Sequence, residues 1–594
     1  MTFTKRTHNC GELRTAQIGK TVTLNGWVDG RRDLGGMIFI DLRDRWGITQ
    51  VTFVPQHNAE VHERAHELRS EYVLSITGTV QGRPEGQENK DMATGEIEIL
   101  VDEFQILNRA EVLPFEIEDE VEAHEDLRLK YRYLDLRRPL MQKYAMLRSS
   151  VYQVVHSYFA EHDFVEVETP TFIKSTPEGA RDFLVPSRIH RGKFYALPQS
   201  PQMYKQILMV AGFDRYVQIV KCFRDEDFRA DRQPEFTQID LEMSFVTAED
   251  VYAITEGLVA RMLKECIGYD VQTPFLRMSY DDAMEQYGTD KPDLRFDMKL
   301  VPLNDLVVNS GFKVFADAAQ KGGTVTGFCV KGKAEYSRKQ LDELTEVAKK
   351  FGAGGLVWMK VEAAEMKSPV AKFLSPEILA QIQSAMGAEE GDLLLIVADA
   401  DKRKAQKAAG SLRLHLGKEL GLCDPNKHAL LWVVDFPMFA YNEEEGVWEP
   451  EHHAFTSPKA EDIEKMDTDP GAVRADCYDF VWNGNEAASG SIRIHDSAMQ
   501  TKIFERLGLS DEELQEKFGF LVESFKYGAP PHGGIALGLD RVVAILAGLT
   551  SIREVIAFPK TNTALSLMDG SPSMVDERAL KDLHLDIRKE EKKP

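Results

Sequence analysis

The chain has 594 residues, a length that accommodates three or four domains, and its 43% hydrophobic and 28% charged content is that of an ordinary water-soluble protein. No apolar run reaches membrane-spanning length, and the opening MTFTKRTHNCGELR has no apolar core of a secretory leader. A formal charge of −24 counts against sequence-blind adhesion to nucleic acid, since phosphate affinity comes from Lys and Arg, but it leaves room for a local basic patch.

Residues 1–108 are predicted to form five short strands, at 21–28, 37–42, 48–54, 72–80 and 96–101. Turn chemistry lies at Gly35 and Gly36, at Trp46 and Gly47, and from Pro84 to Gly86. A helical stretch at 59–69 falls between the third and fourth strands, which is the plan of an OB-fold barrel. Arg31, Arg32, Arg43 and Arg45 make a basic patch here, and Phe39 in the second strand is either core or a platform for a base. Residues 109–140 run from acidic to basic and read as a hinge. From 141 a helix is predicted, because Tyr144, Leu147, Val151, Val155 and Phe159 recur at spacings of three and four. A strand at 164–170, stopped by Pro170, follows it.

The stretches 215–223 and 236–241 alternate apolar with polar, as strands of a hairpin do. Between them Arg224, Arg229 and Arg232 are interleaved with Asp225, Glu226, Asp227 and Asp231. Such a loop is either a solvated charged turn or a fork of arginines gripping a phosphate, with Phe236 free to stack on a base. Just upstream, Ser200, Gln202 and Lys205 fall together at a predicted helix start. Residues 295–425 change texture to Gly-rich turns and lysine-bearing helices. One such helix is 338–351, with Leu341, Leu344, Val347 and Phe351 facing inward, and 393–398 reads as a buried strand. From 426 to 560 the strand-rich pattern resumes, and 561–594 reads as a surface extension.

Within 426–560, Asp479 and Glu486 lie seven apart across a strand and turn, a spacing that by itself belongs more often to surface carboxylates than to an oxygen-only metal site. His452 and His453 are poor zinc ligands, because neighbouring side chains on a strand point apart. Arg493, flanked by apolar residues, is either a core ion pair or a carboxylate receptor. A Gly-rich turn, short strand and helix start occupy 532–541, with the helix at 542–547. The six cysteines are scattered with no CxxC pair and predict reduced thiols.

The stretch FRDEDFRADRQPEFTQIDLEMSF, residues 223–245, resembles motif 2 of class II aminoacyl-tRNA synthetases, and most closely that of the bacterial aspartyl-tRNA synthetases of subclass IIb. The helix–strand–Pro170 unit resembles motif 1, whose proline packs at the dimer interface of the class, and GLDR at 538–541 resembles motif 3. The resemblance spans essentially the whole chain. It implies an α+β multidomain protein: an OB-fold anticodon-binding barrel (1–108), a hinge (109–140) and an antiparallel-sheet catalytic domain in two parts (141–294 and 426–560). An inserted α+β, GAD-like domain (295–425) and a C-terminal extension (561–594) complete it.

The implied reaction is ATP-dependent activation of L-aspartate to aspartyl-adenylate and its transfer to the 3′ end of tRNA(Asp), by a cytoplasmic homodimer with no membrane partner. Arg224 would bind the α-phosphate and the attacking carboxylate, with Asp225 and Glu226 beside it. Gln233, Phe236, Gly538, Leu539, Asp540 and Arg541 would complete the ATP site, with Arg541 clamping the γ-phosphate. Asp479 and Glu486 would hold Mg²⁺ on ATP. Lys205 and Arg493 would grip the substrate's side-chain carboxylate, Asp240 would orient Lys205 and hold the ammonium, and Glu178, Ser200, Gln202 and His452 would close the pocket. Asparagine, with a neutral amide, would leave those cations unpaired. Arg32, Phe39, Gln50 and Glu98 would contact the anticodon, with Phe39 stacking on a base. Leu34 resembles the residue of strictly aspartate-specific members, where forms that also charge tRNA(Asn) often carry histidine. The rivals are an asparagine or lysine enzyme of the same plan and a non-catalytic tRNA-binding paralogue. Degenerate motif arginines would mark the latter, and Arg224 and Arg541 are both present.

Overall fold

In the computed structural model the described residues are 3–176, 180–226, 231–363, 365–442 and 446–588. The chain divides into two compact units, one ending at Gln142 and the other beginning at Lys143.

The first unit is a closed barrel of β1 (Thr21–Leu34), β2 (Met37–Asp44), β3 (Gly47–Phe53), β4 (Val73–Gly82) and β5 (Ile97–Asn108), in the order β1-β2-β3-β5-β4. Strand alternation sends Val22, Leu24, Val28, Ile38, Ile40, Leu42, Leu74 and Ile76 into its core. β1 is long enough to pair with β4 over its first half and with β2 over its second, and it bends at a register shift between Val28 and Gly30. The predicted helix is Ala59–Ala65, capped by Asn58, whose side chain accepts from Val61 N. The connector after β5 stays with this unit. Arg137 donates to Glu71 at 2.8 Å and lies over the Trp27 ring, and buried Asp135 accepts from Arg138 at 2.8 Å. The 109–140 stretch is therefore anchored to the barrel at its C-terminal end.

The second unit is built on an eight-stranded sheet. Its order is Leu276–Ser279, Leu430–Val434, Cys477–Trp482, Asn485–Ile492, His532–Gly538, Glu235–Ser244, Arg215–Phe223 and Val165–Glu166. The six central strands are antiparallel and the two outermost pairings are parallel. The hairpin of Arg215–Phe223 and Glu235–Ser244 falls where the alternation places it. The strand expected at 164–170 shrinks to Val165–Glu166, because it lies at the sheet edge with one neighbour and soon meets Pro170, which has no N–H to donate. The helix Pro139–Glu161 buries Tyr144, Val151, Val155 and Phe159 as expected.

Inside this unit a second sheet of five antiparallel strands, in the order Val301–Pro302, Thr324–Val330, Leu393–Asp399, Val357–Val361 and Met366–Lys367, is covered on both faces. Its central strand reads LLLIVAD because Leu393, Leu395 and Val397 enter one core while Leu394 and Ile396 enter the other. On the helix Arg338–Lys350, Leu341 and Leu344 are buried, but Phe351 is 41% exposed rather than inward. It caps the helix C-terminus, past the last residue that continues the buried stripe.

Candidate active site

One cavity of about 1040 Å³ opens on the eight-stranded sheet, and Arg224, Arg541, Lys205 and Arg493 all line it. They come from four places in the chain. Arg224 follows the strand Arg215–Phe223, Lys205 sits on the helix Gln202–Val210, Arg493 follows Asn485–Ile492, and Arg541 lies in the first turn of Leu539–Leu546. This helix starts three residues before the predicted 542. The Arg224 guanidinium lies 5.2 Å over the Phe236 ring, which presents an aromatic face and a cation to the same space.

At the floor, two cations and two carboxylates are buried together. Lys205 Nζ donates to Asp240 Oδ2 at 3.0 Å and lies 3.2 Å from Glu242 Oε2. Arg493 donates from Nε to Glu242 Oε1 at 2.8 Å and from Nη2 to Glu242 Oε2 at 3.2 Å. Its Nη1 donates to Ser491 Oγ and to His453 Nε2, each at 2.7 Å. Gly534 makes room for this: a Cβ there would sit 2.1 Å from Glu242 Oε2. Burial alone would push the Glu242 carboxyl up, but the Arg493 and Lys205 charges outweigh it and hold it down at about 2. Asp240 has gained less than it lost: burial raises it to about 6 despite Lys205. Burial, with the Arg493 charge beside it, drives His453 well below the usual imidazole value, so its ring is neutral and Nε2 can accept. Burial likewise brings His452 down to about 4; its ring stands edge-on to Phe436.

At the other end, Asp479 and Glu486 lie on neighbouring strands of one hairpin and both line the cavity. Burial, then the charge of Glu486, push the Asp479 carboxyl far above its ordinary range. Asp479 Oδ1, Asp240 Oδ1 and Arg224 Nε are buried polar atoms with no hydrogen-bond partner among the described residues. Two adjacent carboxylates that repel one another, one with an orphaned oxygen, fit a divalent cation with oxygen ligands. Lys291 Nζ stands 4.0 Å from Glu486 Oε2, and Arg541 Nη1 donates to the Glu486 carbonyl.

Ser200, Gln202, Glu226, Gln233, Phe236, His452, Gly538 and Asp540 line the same cavity. Two of these spend their polar atoms elsewhere. Gln233 pairs with the main chain of Lys560, accepting from its N at 2.8 Å and donating to its O at 3.1 Å. Asp540 accepts from Arg148 Nη1 at 2.6 Å and from Thr237 N at 2.8 Å, tying the helix Pro139–Glu161 to the strand Glu235–Ser244. Leu539 is fully buried away from the cavity, and Asp225, also outside its lining, pairs with Arg181 at 3.5 Å. Glu178 lies outside the described residues. His452 and His453 are in a loop, not on a strand, and both face the cavity, so the argument that neighbours point apart does not apply to them. Among the described residues no group of three or more His, Cys, Asp or Glu side chains is placed to hold a metal.

On the barrel, Arg32, Gln50 and Glu98 form one hydrogen-bonded chain. Arg32 Nη2 donates to Gln50 Oε1 at 3.0 Å and Gln50 Nε2 donates to Glu98 Oε2 at 2.7 Å. Asp41 grips the Arg32 fork with both oxygens, at 2.6 and 3.0 Å. Phe39 stands opposite Arg32 in the β1–β2 register and is half-exposed. Leu34 is exposed at the end of β1, before Gly35 and Gly36, both at positive φ.

Sequence reasoning passed over Glu242, Lys291 and Asp41, and considered His453 only as a zinc ligand, which it dismissed. The signal for Glu242 was present: in Asp240-Leu241-Glu242 the period of two puts both carboxylates on one face of the strand. Lys291 and His453 lie in irregular loops, where no periodicity marks the inward residue.

An OB-fold barrel joined to a largely antiparallel sheet, with cations gathered over that sheet, is the architecture of a class II synthetase. The chain belongs to this family: the model described as "tRNA synthetases class II (D, K and N)" matches residues 124–562, and "OB-fold nucleic acid binding domain" matches 22–107. Its relatives include "Aspartate--tRNA(Asp/Asn) ligase" of Thermoanaerobacter sp. (strain X514), 55% identical over 583 residues and covering 98% of both chains. "Aspartate--tRNA ligase" of Halalkalibacterium halodurans is 53% identical over 583 residues with the same coverage. The fold is shared with asparaginyl-tRNA synthetase from Pyrococcus horikoshii complexed with asparaginyl-adenylate, at TM-score 0.58 and 18% identity, covering 94% of this chain and 99% of that one. Aspartyl tRNA synthetase from Entamoeba histolytica has TM-score 0.56 and 18% identity, with 94% and 91% covered.

Proposed function

We infer that this enzyme is an aspartate–tRNA ligase, which joins L-aspartate to ATP as aspartyl-adenylate with release of pyrophosphate and then passes the aspartyl group to the 3′ end of tRNA(Asp). The observation that carries the reading is the single cavity that holds Arg224, Arg541, Lys205 and Arg493 together with three orphaned buried polar atoms. A dicarboxylic amino acid fits its floor. Its side-chain carboxylate would join Lys205 and Arg493, and its ammonium would meet the unpartnered Asp240 Oδ1. Its α-carboxylate would then point to Arg224, whose Nε and aromatic backing leave it able to hold that carboxylate beside the α-phosphate. Arg541 would take the far end of the triphosphate, and Phe236 the adenine. Asp479 and Glu486 would hold Mg²⁺, which neutralises phosphate charge when bound. No side chain acts as a covalent nucleophile; positioning and charge neutralisation supply the rate. Ser200, Gln202, Glu226 and His452 complete the lining, and Glu178 is assigned to the substrate ammonium from the resemblance.

Arg32, Phe39, Gln50 and Glu98 would read the anticodon, since their polar atoms are preassembled into one chain beside an available aromatic ring. A homodimer and a cytoplasmic location complete the proposal. The dimer is supported by the exposed edge-strand residue Val165 and by exposed Leu184, Phe172 and Tyr195, with the last two rings 5.5 Å apart. Aspartate-dependent exchange of pyrophosphate into ATP tests the activity. Arg224→Ala is expected to abolish it, and exchange driven equally by asparagine or lysine overturns the substrate. Charging of tRNA(Asn) beside tRNA(Asp) decides between the two names its relatives carry.

A further inference from the structure

We propose that Arg413, in the inserted domain, is a positioning residue for the catalytic cavity: it clamps the main chain of 293–298 and thereby holds Lys291 at the carboxylate corner. The inference rests on the cavity being the ATP site proposed above. Arg413 is 1% exposed and yet pairs with no carboxylate among the described residues. Its Nε donates to Met298 O at 2.9 Å, and its Nη2 lies 3.1, 3.0 and 3.3 Å from the carbonyls of Asp293, Phe296 and Asp297. The guanidinium lies between the rings of Tyr287 and Phe296, at 4.9 and 4.1 Å. A planar fork read by four main-chain carbonyls dictates the path of the backbone rather than the identity of its side chains.

The helix that carries it, Lys402–Glu419, is shaped for this approach. Gly410, Arg413 and Gly417 fall three and four apart on one face. A Cβ at Gly410 would sit 2.3 Å from Tyr287 O, and one at Gly417 would sit 2.4 Å from the Phe296 ring. The clamped segment meets the catalytic sheet at its N-terminal end. Lys291 and Asp290 line the cavity, Lys291 4.0 Å from Glu486. Asp293 packs against the turn between the strands bearing Asp479 and Glu486: a Cβ at Gly484 would lie 2.9 Å from its Cβ. The inserted domain thus sets the distance between a lysine and the carboxylate pair through one buried arginine.

The full-length enzyme carrying Arg413→Ala tests this by steady-state pyrophosphate exchange, with ATP and aspartate varied separately. ATP affinity is measured independently by calorimetric titration. A displaced loop is expected to weaken ATP use by about 10- to 100-fold in kcat/KM, while KM for aspartate, whose cations stand on other elements, stays within about twofold. Arg413→Lys, which keeps the charge but not the fork, is expected to fall between the two, and Gly410→Ala to reproduce the ATP defect from the helix side. Equal losses for both substrates, or a lowered melting temperature with unchanged ATP parameters, overturn the proposal; if Arg413→Ala does not fold, the Arg413→Lys and Gly410→Ala enzymes decide it by the same criterion. A wild-type enzyme without aspartate-dependent exchange would overturn the assignment of function instead.

Discussion

Glu242→Gln probes the buried ion group most directly. At the pocket floor Lys205 and Arg493 face Asp240 and Glu242, two positive charges against two negative, all with side chains at most 2% exposed. The substitution keeps the volume and removes one negative charge, leaving a cation under-compensated in a dry site. Breaking one partner out of such a group costs about 3–5 kcal/mol. The folded enzyme should therefore melt earlier, and its stability should lose an acid limb. Glu242 is held down from 4.5 to about 2, so its contribution is present above pH 4.5 and disappears as the pH falls through that window in the wild type. The variant has no such group. Aspartate should restore part of the loss, because the substrate's side-chain carboxylate supplies the missing negative charge. At a ligand concentration of about 100 Kd, binding stabilises the native state by about 2.7 kcal/mol, and a tighter complex by more. Thermal unfolding of both proteins with aspartate, asparagine or neither is the assay. The expected result is a larger aspartate-induced rise in Tm for the variant than for the wild type, with no such increment from asparagine. An equal or smaller rise would refute the charge argument, whatever happens to activity.

Asp240 has been raised to about 6 by burial, so the wild type should lose kcat/KM for aspartate as the pH falls through that value and the carboxylate is protonated. Asp240→Asn should lower the plateau and erase that limb, as read from a pH–rate profile. Arg32→Lys removes the fork held by Asp41 and should raise KM for tRNA by a factor corresponding to about 1–3 kcal/mol while pyrophosphate exchange is unchanged, as aminoacylation and exchange assays run side by side would show. Asp540→Asn strips the charge from the carboxylate shared by Arg148 and Thr237 N and should destabilise the second unit by about 3–5 kcal/mol, measured by denaturant titration. That loss would make Asp540 a structural member of the motif rather than a contact to nucleotide.

The residues whose local setting was legible in the sequence are those whose neighbours in the chain announce it. Arg224 stands at the end of an alternating strand, Lys205 at a helix start and Arg541 after a glycine-rich strand, and each reaches the cavity from there. Where the reading departed from the structure, the cause was an environment that local pattern does not encode. Phe351 sits past the last helical turn, the 164–170 strand lies on a sheet edge, and the His452 and His453 pair lies in a loop.

Period and turn chemistry in the sequence were sufficient to specify the barrel, the strands of the charged hairpin and the buried strand at 393–398, because strand and helix formation respond to residues within a few positions of each other. Whether Arg493 meets a carboxylate, whether Gln233 and Asp540 face a ligand or the protein's own chain, and which carbonyls Arg413 reads are different matters. They depend on groups far apart in sequence, Arg493 and Glu242 among them, and on how much water packing removes around each. Coulomb interactions and desolvation act through space, so those partnerships came into existence only once the chain had folded.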